Sequence, residues 1–191
     1  MRKISLTTKS ELNIYMSPVR QQLLRQLSIA SAPMTPKMLA DKLKISASSV
    51  QFHIRKLMSI GLIELDHTET INGITASFYR PAQVTVQIGL GKDDGLEGQR
   101  DVLTQDLIAQ VYDGFRTRMK KRIETQGCRE PEQFIKWGDI LSGVVYLNEK
   151  ESMELINLVN GFLEKHAEAK TGSSPWEYAI IAYNAEELQD D

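Results

Sequence analysis

Leu43-Lys44-Ile45-Ser46-Ala47-Ser48-Ser49-Val50-Gln51-Phe52-His53-Ile54-Arg55-Lys56-Leu57-Met58-Ser59-Ile60-Gly61-Leu62-Ile63 is the stretch whose reading decides the fold. Ser46 reads as a helix N-cap, because its hydroxyl can accept a backbone N–H that the first turn leaves without a partner. From it, Val50, Ile54 and Leu57 recur at steps of four and three, which sets them on one stripe facing a core. Gly61 ends the helix, since glycine takes up a left-handed cap at little cost. The preceding helix opens at Thr35-Pro36, a capping hydroxyl followed by a residue that needs no N–H there, and carries Met38, Leu39, Ala40 and Leu43 as its apolar face. Only Lys44 and Ile45 lie between the two, so the connection is tight and the helices cross steeply.

Outside the apolar stripe the second helix leaves Ala47, Ser48, Ser49, Gln51, Phe52 and Arg55. That mixture suits base edges: Gln pairs with adenine, Ser with several bases, Arg with guanine or a phosphate, and Ala or Phe with a thymine methyl group. Ser46 is explained by capping alone. His53, next to Ile54, reads as a partly buried structural residue. Beyond Gly61, the runs Leu62–Thr70 and Ile74–Arg80 are rich in Thr, Ile and aromatics, and Asn72-Gly73 between them is a strong hairpin signal.

Short helices followed by such a hairpin make the layout of a winged helix-turn-helix, and Leu43 to Ile63 resembles the winged-helix regulators of the ArsR type at the turn, the second helix and the Gly-Leu-Ile exit. The resemblance implies double-stranded DNA as partner, with the helix after Ser46 in the major groove. Mapped onto this sequence, the expected DNA-binding residues are Thr35, Lys37, Ala47, Ser48, Ser49, Gln51, Phe52, Arg55, Lys56, Asn72 and Arg80. The wing departs from the family pattern. Its only basic residue is Arg80, at the base, while Glu64, Asp66 and Glu69 are acidic, so it reads as a structural element or as a weak DNA contact.

Charge is divided along the chain. Residues 1–82 hold 11 Lys and Arg against 5 Asp and Glu, a formal +6, and the remainder holds 12 against 20, a formal −8; together these give the net −2. A basic first half is the footprint of a phosphate-binding module joined to an acidic partner domain. At 191 residues and 41% hydrophobic content, the chain can build one large or two small domains. Cys128 is the only cysteine, which excludes an internal disulfide and the paired-cysteine metal sensing of the arsenic and cadmium branch. No apolar run approaches a membrane span, and a cytoplasmic location is expected.

Upstream, Thr8 and Glu11 read as a capping box, and Ser17-Pro18 starts a helix carrying Leu23, Leu24, Leu27 and Ala30. Val84, Val86 and Ile88 alternate as a further strand. The expected division is a winged helix over residues 1–90, a Gly-rich linker over 91–98, and a dimerisation or effector domain over 99–191. In the last, Leu103, Leu107, Val111, Phe115 and Met119, continued by Ile123, recur mostly every four residues on one long helix closed by Gly127. Packing within its own domain and a homodimer seam explain that stripe equally well; the resemblance favours the dimer, which would read an inverted repeat.

Pro131 opens a short helix through Trp137. Ile140–Leu147 and Trp176–Tyr183 read as strands around a helix capped by Asn148 and Glu151. The fold class expected is therefore α+β, mainly α, with a small strand-helix-strand unit at the end. Trp137, Tyr146, Phe162, Trp176, Tyr178 and Tyr183 are either plain core or the lining of a pocket for a small-molecule effector.

Signs of catalysis are thin. Gly89-Leu90-Gly91-Lys92 is followed by Asp93 rather than Ser or Thr and lacks the earlier glycine of a phosphate loop. His166 is not three or four residues from Glu164 or Glu168, the spacing that ligation from one helix face requires. No cofactor is expected, and no enzyme. A winged helix serving as a protein-interaction adaptor without DNA binding is the competing reading.

Overall fold

A computed structural model describes residues 2–30, 32–88, 94–127 and 134–186. The order of elements is β1 (Arg2–Ser5), α1 (Lys9–Tyr15), α2 (Pro18–Ile29), α3 (Pro36–Leu43), α4 (Ala47–Ser59), β2 (Ile63–Ile71), β3 (Ile74–Pro81), β4 (Val84–Gln87), α5 (Glu97–Gln126) and α6 (Glu149–Lys165). The mixed, mainly helical class expected from the sequence is the one observed.

The helix ends form as their residues dictate. Thr8 accepts the Glu11 amide at 3.2 Å while the Glu11 carboxylate accepts the Thr8 amide at 2.9 Å, closing the capping box of α1. Thr35 and Ser46 accept the Met38 and Ser49 amides and so cap α3 and α4. Lys44 turns the chain between them with a left-handed φ of 57°. At the far end of α4, Gly61 has φ +74°, its amide donates to Met58, and the Leu62 amide donates to Leu57. This is the glycine-terminated cap in which two otherwise unpaired carbonyls are satisfied.

One core holds the first part of the chain together. Leu23 and Leu27 of α2, Leu39 and Ala40 of α3, Val50, Ile54 and Leu57 of α4, and Leu62, Ile63 and Tyr79 of the wing are buried in a single cluster. Met38, expected on the apolar face of α3, is instead exposed, because Leu39 and Ala40 already occupy the side that meets the core.

β2 and β3 pair antiparallel through Asn72-Gly73, with φ of 52° and 79°, the two positive angles that a tight hairpin turn requires. A bulge lies between Leu65 and His67. Met34 and Tyr79 exchange two backbone hydrogen bonds of 2.9 Å, tying the chain before α3 to the wing. β4 forms as expected, and its partner is an unforeseen strand: β1 runs parallel to it, Arg2 opposite Val84 and Ser5 opposite Gln87.

The chain divides into two compact units, one of Met1–Leu103 with Tyr146–Pro175, the other of Thr104–Val145 with Trp176–Asp191. In the first, the expected helix around residues 149–165 forms, with Asn148 and Glu151 closing a second capping box. The two strands expected beside it do not. Ile140–Leu147 and Trp176–Tyr183 are irregular, and the reason is physical: a strand exists only through a neighbour's backbone, and neither stretch pairs with another described residue. Gly89, Gly91 and Lys92 of the junction, Cys128 and Pro131 lie outside the described residues.

Candidate nucleic-acid interface

The buried stripe of α4 fixes what its other side presents. With Val50, Ile54 and Leu57 at zero exposure, Ser48, Phe52, Arg55 and Ser59 follow one another at helical spacing on the opposite side, and all four are exposed. Phe52 is 53% exposed on a helix that carries Arg55 and Lys56 and no carboxylate. The Lys56 ammonium stands 5.8 Å from the Phe52 ring centre. A hydroxyl, an apolar ring and a guanidinium in a row form a surface able to meet base edges and phosphates together.

The residues expected to contact DNA fall into two groups. Ala47, Ser48, Phe52, Arg55 and Lys56 are exposed on α4, with the Ser48 hydroxyl 3.0 Å from that of Ser46. The others have partners or positions of their own. Gln51 is half-buried and its amide donates to the Tyr79 hydroxyl at 3.3 Å, linking α4 to the wing. Ser49 is half-buried, and the Thr35 hydroxyl is engaged as a cap. Lys37 lies 2.5 Å from Asp41, both exposed. Asn72 forms the tip of the hairpin. Arg80 donates to Glu64 at 2.8 Å and lies 3.3 Å from Asp66, so its charge is spent within the wing. Asp66 also pairs with His67 at 2.6 Å, whose ring stacks on Phe78. The exposed tip is apolar rather than basic, with Ile71 and Ile74 beside the turn.

One contact at α4 was hidden from sequence reasoning. Arg20 of α2 donates to the carbonyls of Asn13, at 2.9 Å, and Ile14, closing the end of α1, while its Nη1 lies 3.4 Å from His53 Nδ1 on α4. One of the cations of the basic first half thus links the end of α1 to α4. Burial lowers the pKa of the Arg20 guanidinium. Burial, followed by the charge of Arg20, holds the His53 ring below its ordinary pKa, in accord with its reading as a structural residue. Nothing local could have revealed the pair, since 33 residues separate its members.

On α5, Leu103 is buried, Leu107, Val111, Phe115 and Met119 are half-buried, and Ile123 is exposed. Phe115 lies against Gly138, its ring 3.3 Å from where a Cβ on that glycine would stand. Of the C-terminal aromatics, Trp137 meets Phe134 and the Arg122 guanidinium, and Phe162 stacks on His166. Tyr146, Trp176, Tyr178 and Tyr183 are exposed, so they are not the plain core that one sequence reading allowed.

Tight helices α3 and α4, the left-handed turn at Lys44 and the hairpin behind them define the class: this part of the chain is a helix-turn-helix module with a wing. Residues 15–66 match the family model described as a helix-turn-helix domain, a stretch running from the end of α1 into β2. Among solved structures, the chain is similar to one described as "Possible transcriptional regulator from Methanosarcina mazei Go1", at 10% identity and a TM-score of 0.33, over 55% of this chain and 80% of that one. No curated protein matches. Among the described residues no helix is long and apolar enough to cross a membrane.

Proposed function

We propose that the chain is a sequence-specific, homodimeric DNA-binding transcriptional regulator of the ArsR winged-helix type, which inserts α4 into the major groove of a duplex in the cytoplasm. The observation that carries this reading is the bare side of α4. Its other side is locked into the core, so Ser48, Phe52 and Arg55 are held on a rigid support, as base recognition requires. Basic residues of the first part of the chain would fix the register through phosphates, and the α4 side chains would choose the bases. A two-fold pair would read an inverted repeat.

Selection from random duplexes by the purified protein tests the whole reading, with an enriched inverted repeat as the expected result. Arg55→Ala is expected to weaken binding to the selected site by about 1–3 kcal/mol if the guanidinium reads a base, and by less, evenly over all sequences, if it meets phosphate. Equal binding by wild type and variant removes Arg55 from the interface. A protein-interaction adaptor is the second reading, favoured by the wing, where Arg80 is held by Glu64 and Asp66. Duplex affinity that falls log-linearly with salt supports the regulator; no duplex affinity at low salt supports the adaptor.

A further inference from the structure

The second half of α5 carries a group of cations that the duplex reading does not use. Arg116, Arg118, Lys120, Lys121 and Arg122 are all exposed, and the run from Gly114 to Ile123 that holds them contains no carboxylate. They are five of the 12 Lys and Arg in residues 83–191, a part of the chain that holds 20 Asp and Glu. The helix dipole does not account for them. It rewards cations in the last turn of a helix, and the last turn of α5 has none. Neighbouring carboxylates do not neutralise them all either: Lys120 and Lys121 form no salt bridge with a described residue, and Arg116 approaches Asp113 only to 3.9 Å.

Aromatic rings stand along the same helix, within the same compact unit. Arg118 and Arg122 are one turn apart and so share a side of α5. Arg118 Nη1 donates to Glu177 at 3.3 Å, which seats the segment around Glu177 against that side, and the Arg122 guanidinium lies 5.4 Å from the centre of the Trp137 ring. Trp176 and Tyr178, on either side of Glu177, are 62% and 57% exposed. Open rings beside a row of cations are the two elements of a surface for single strands, because phosphates follow the charges and unpaired bases stack on the rings. A duplex keeps its base faces covered and would leave the rings unused. A lipid surface fits less well. An interfacial helix lays its apolar face into the membrane, whereas Phe115 and Met119 between these cations are already half-buried, Phe115 against Gly138.

We propose that Arg116–Arg122 of α5, with Trp176 and Tyr178 beside it, is a binding site for single-stranded nucleic acid. The site uses none of the α4 residues and does not depend on the duplex reading above. Arg116, Lys120 and Lys121 meet phosphates, and Trp176 and Tyr178 each take a base. A single strand can turn its bases toward the rings while its backbone follows the helix, which a paired strand cannot do.

The test titrates the full chain with dye-labelled oligothymidylate and oligouridylate of about 12 nucleotides, within the range that one such site covers. Trp137 and Trp176 are the only tryptophans, so quenching of tryptophan emission reports the site itself. Binding with quenching is expected at low salt, and the ratio of the two affinities tells whether DNA or RNA is the better strand. Trp176→Ala should weaken binding about tenfold, and Trp176→Phe, which keeps a ring, by less than about threefold. Changing Lys120 and Lys121 together to Gln should flatten the logarithmic salt dependence by about 1.4, or about 0.7 for each phosphate contact removed. These side chains are exposed, so the fold survives their replacement. Arg55→Ala should leave single-strand binding unchanged. Absence of quenching at low salt, indifference to Trp176→Ala, an unchanged salt dependence in the double lysine variant, or a duplex of unrelated sequence that binds as tightly and quenches as much overturns the proposal. Selection from random duplexes reads α4 separately, so either reading can fail while the other stands.

Discussion

α4 and α6 are built to one local plan and meet opposite fates. Each opens with a side chain that accepts the amide three residues on, Ser46 in one and Asn148 in the other, and each carries an apolar stripe at helical spacing. Yet Leu57 of α4 is fully buried and Leu158 of α6 is 70% exposed. Caps and periodicity specify a helix, whereas burial depends on what the rest of the chain places against it. Around α4 stand α2, α3 and the wing. For α6, no residue is buried among the described residues of the chain.

The largest expected effect separates the two helices directly. Leu57→Ala removes a fully enclosed side chain and should lower the unfolding free energy by about 3 kcal/mol, the cost of lost burial plus a cavity. Leu158→Ala, measured at a concentration where the protein is monomeric, should cost about 0.5 kcal/mol or less, as exposed substitutions do. Denaturant titration of both variants decides the matter. Equal costs would show that α6 has a core within its own chain, which would erase the contrast.

Gly61→Ala sharpens the account of how α4 is held. An alanine there must adopt a φ of +74°, and its Cβ would stand 3.0 Å from Arg2 Nη2 and 3.2 Å from Ile4 Cδ1. Strain of this kind costs about 1–3 kcal/mol, and the two contacts end on flexible side chains that can give way, so about 1–2 kcal/mol is expected from thermal or chemical unfolding. Gly73→Ala, also at positive φ but with open space around it, should cost less. A reversed order would mean that β1 is not seated against the end of α4.

What could be read from the sequence follows the same division. Thr8 with Glu11, Thr35 with Pro36, Ser46, Gly61 and Asn72-Gly73 are local signals, each settled by a few adjacent residues, and each formed as read. The exposed side of α4 was legible because it is the complement of Val50, Ile54 and Leu57. Tertiary partners were not. The Gln51–Tyr79 bond and the Arg20–His53 contact join residues far apart in the chain, and no local pattern encodes them, while the occupation of Arg80 by Glu64 and Asp66 depends on a hairpin register shifted by the bulge between Leu65 and His67. β1 is only four residues long, below what alternation can reveal. The two C-terminal strands were read from composition, which reports a preference for pairing and not the presence of a partner.

The caps offer a finer comparison. Ser46→Ala and Asn148→Ala each remove the acceptor for one amide of the first turn, so each should cost about 1 kcal/mol. The readouts differ. Ser46→Ala should appear as a lower midpoint of cooperative unfolding, because α4 is part of the core. Asn148→Ala should appear mainly as lost helical circular dichroism in the monomer, because α6 can fray without disturbing the buried cluster. A common cooperative loss from both variants would couple the two helices.

The smallest effect is a pH dependence confined to the winged helix. Burial, and after it the Arg20 charge, disfavours the protonated His53 ring in the folded chain, so the folded pKa lies below the ordinary value of 6.5. As pH falls through about 6.5, the unfolded chain therefore takes up the proton more readily than the folded one, and stability declines until the folded ring titrates too. Glu11 acts in the same direction at lower pH: its carboxylate, held below the ordinary 4.5 by the backbone N–H groups of Thr8 and Thr7, stabilises the fold above that range and ceases to do so on protonation. Urea midpoints should be compared between about pH 7.5 and pH 5.5, where carboxylates remain charged. The wild type should lose stability across that interval, and His53→Gln, which keeps a polar group near Arg20 without a titrating ring, should lose less. An identical slope in the two proteins would assign the pH dependence to other groups and leave the Arg20–His53 contact as packing alone.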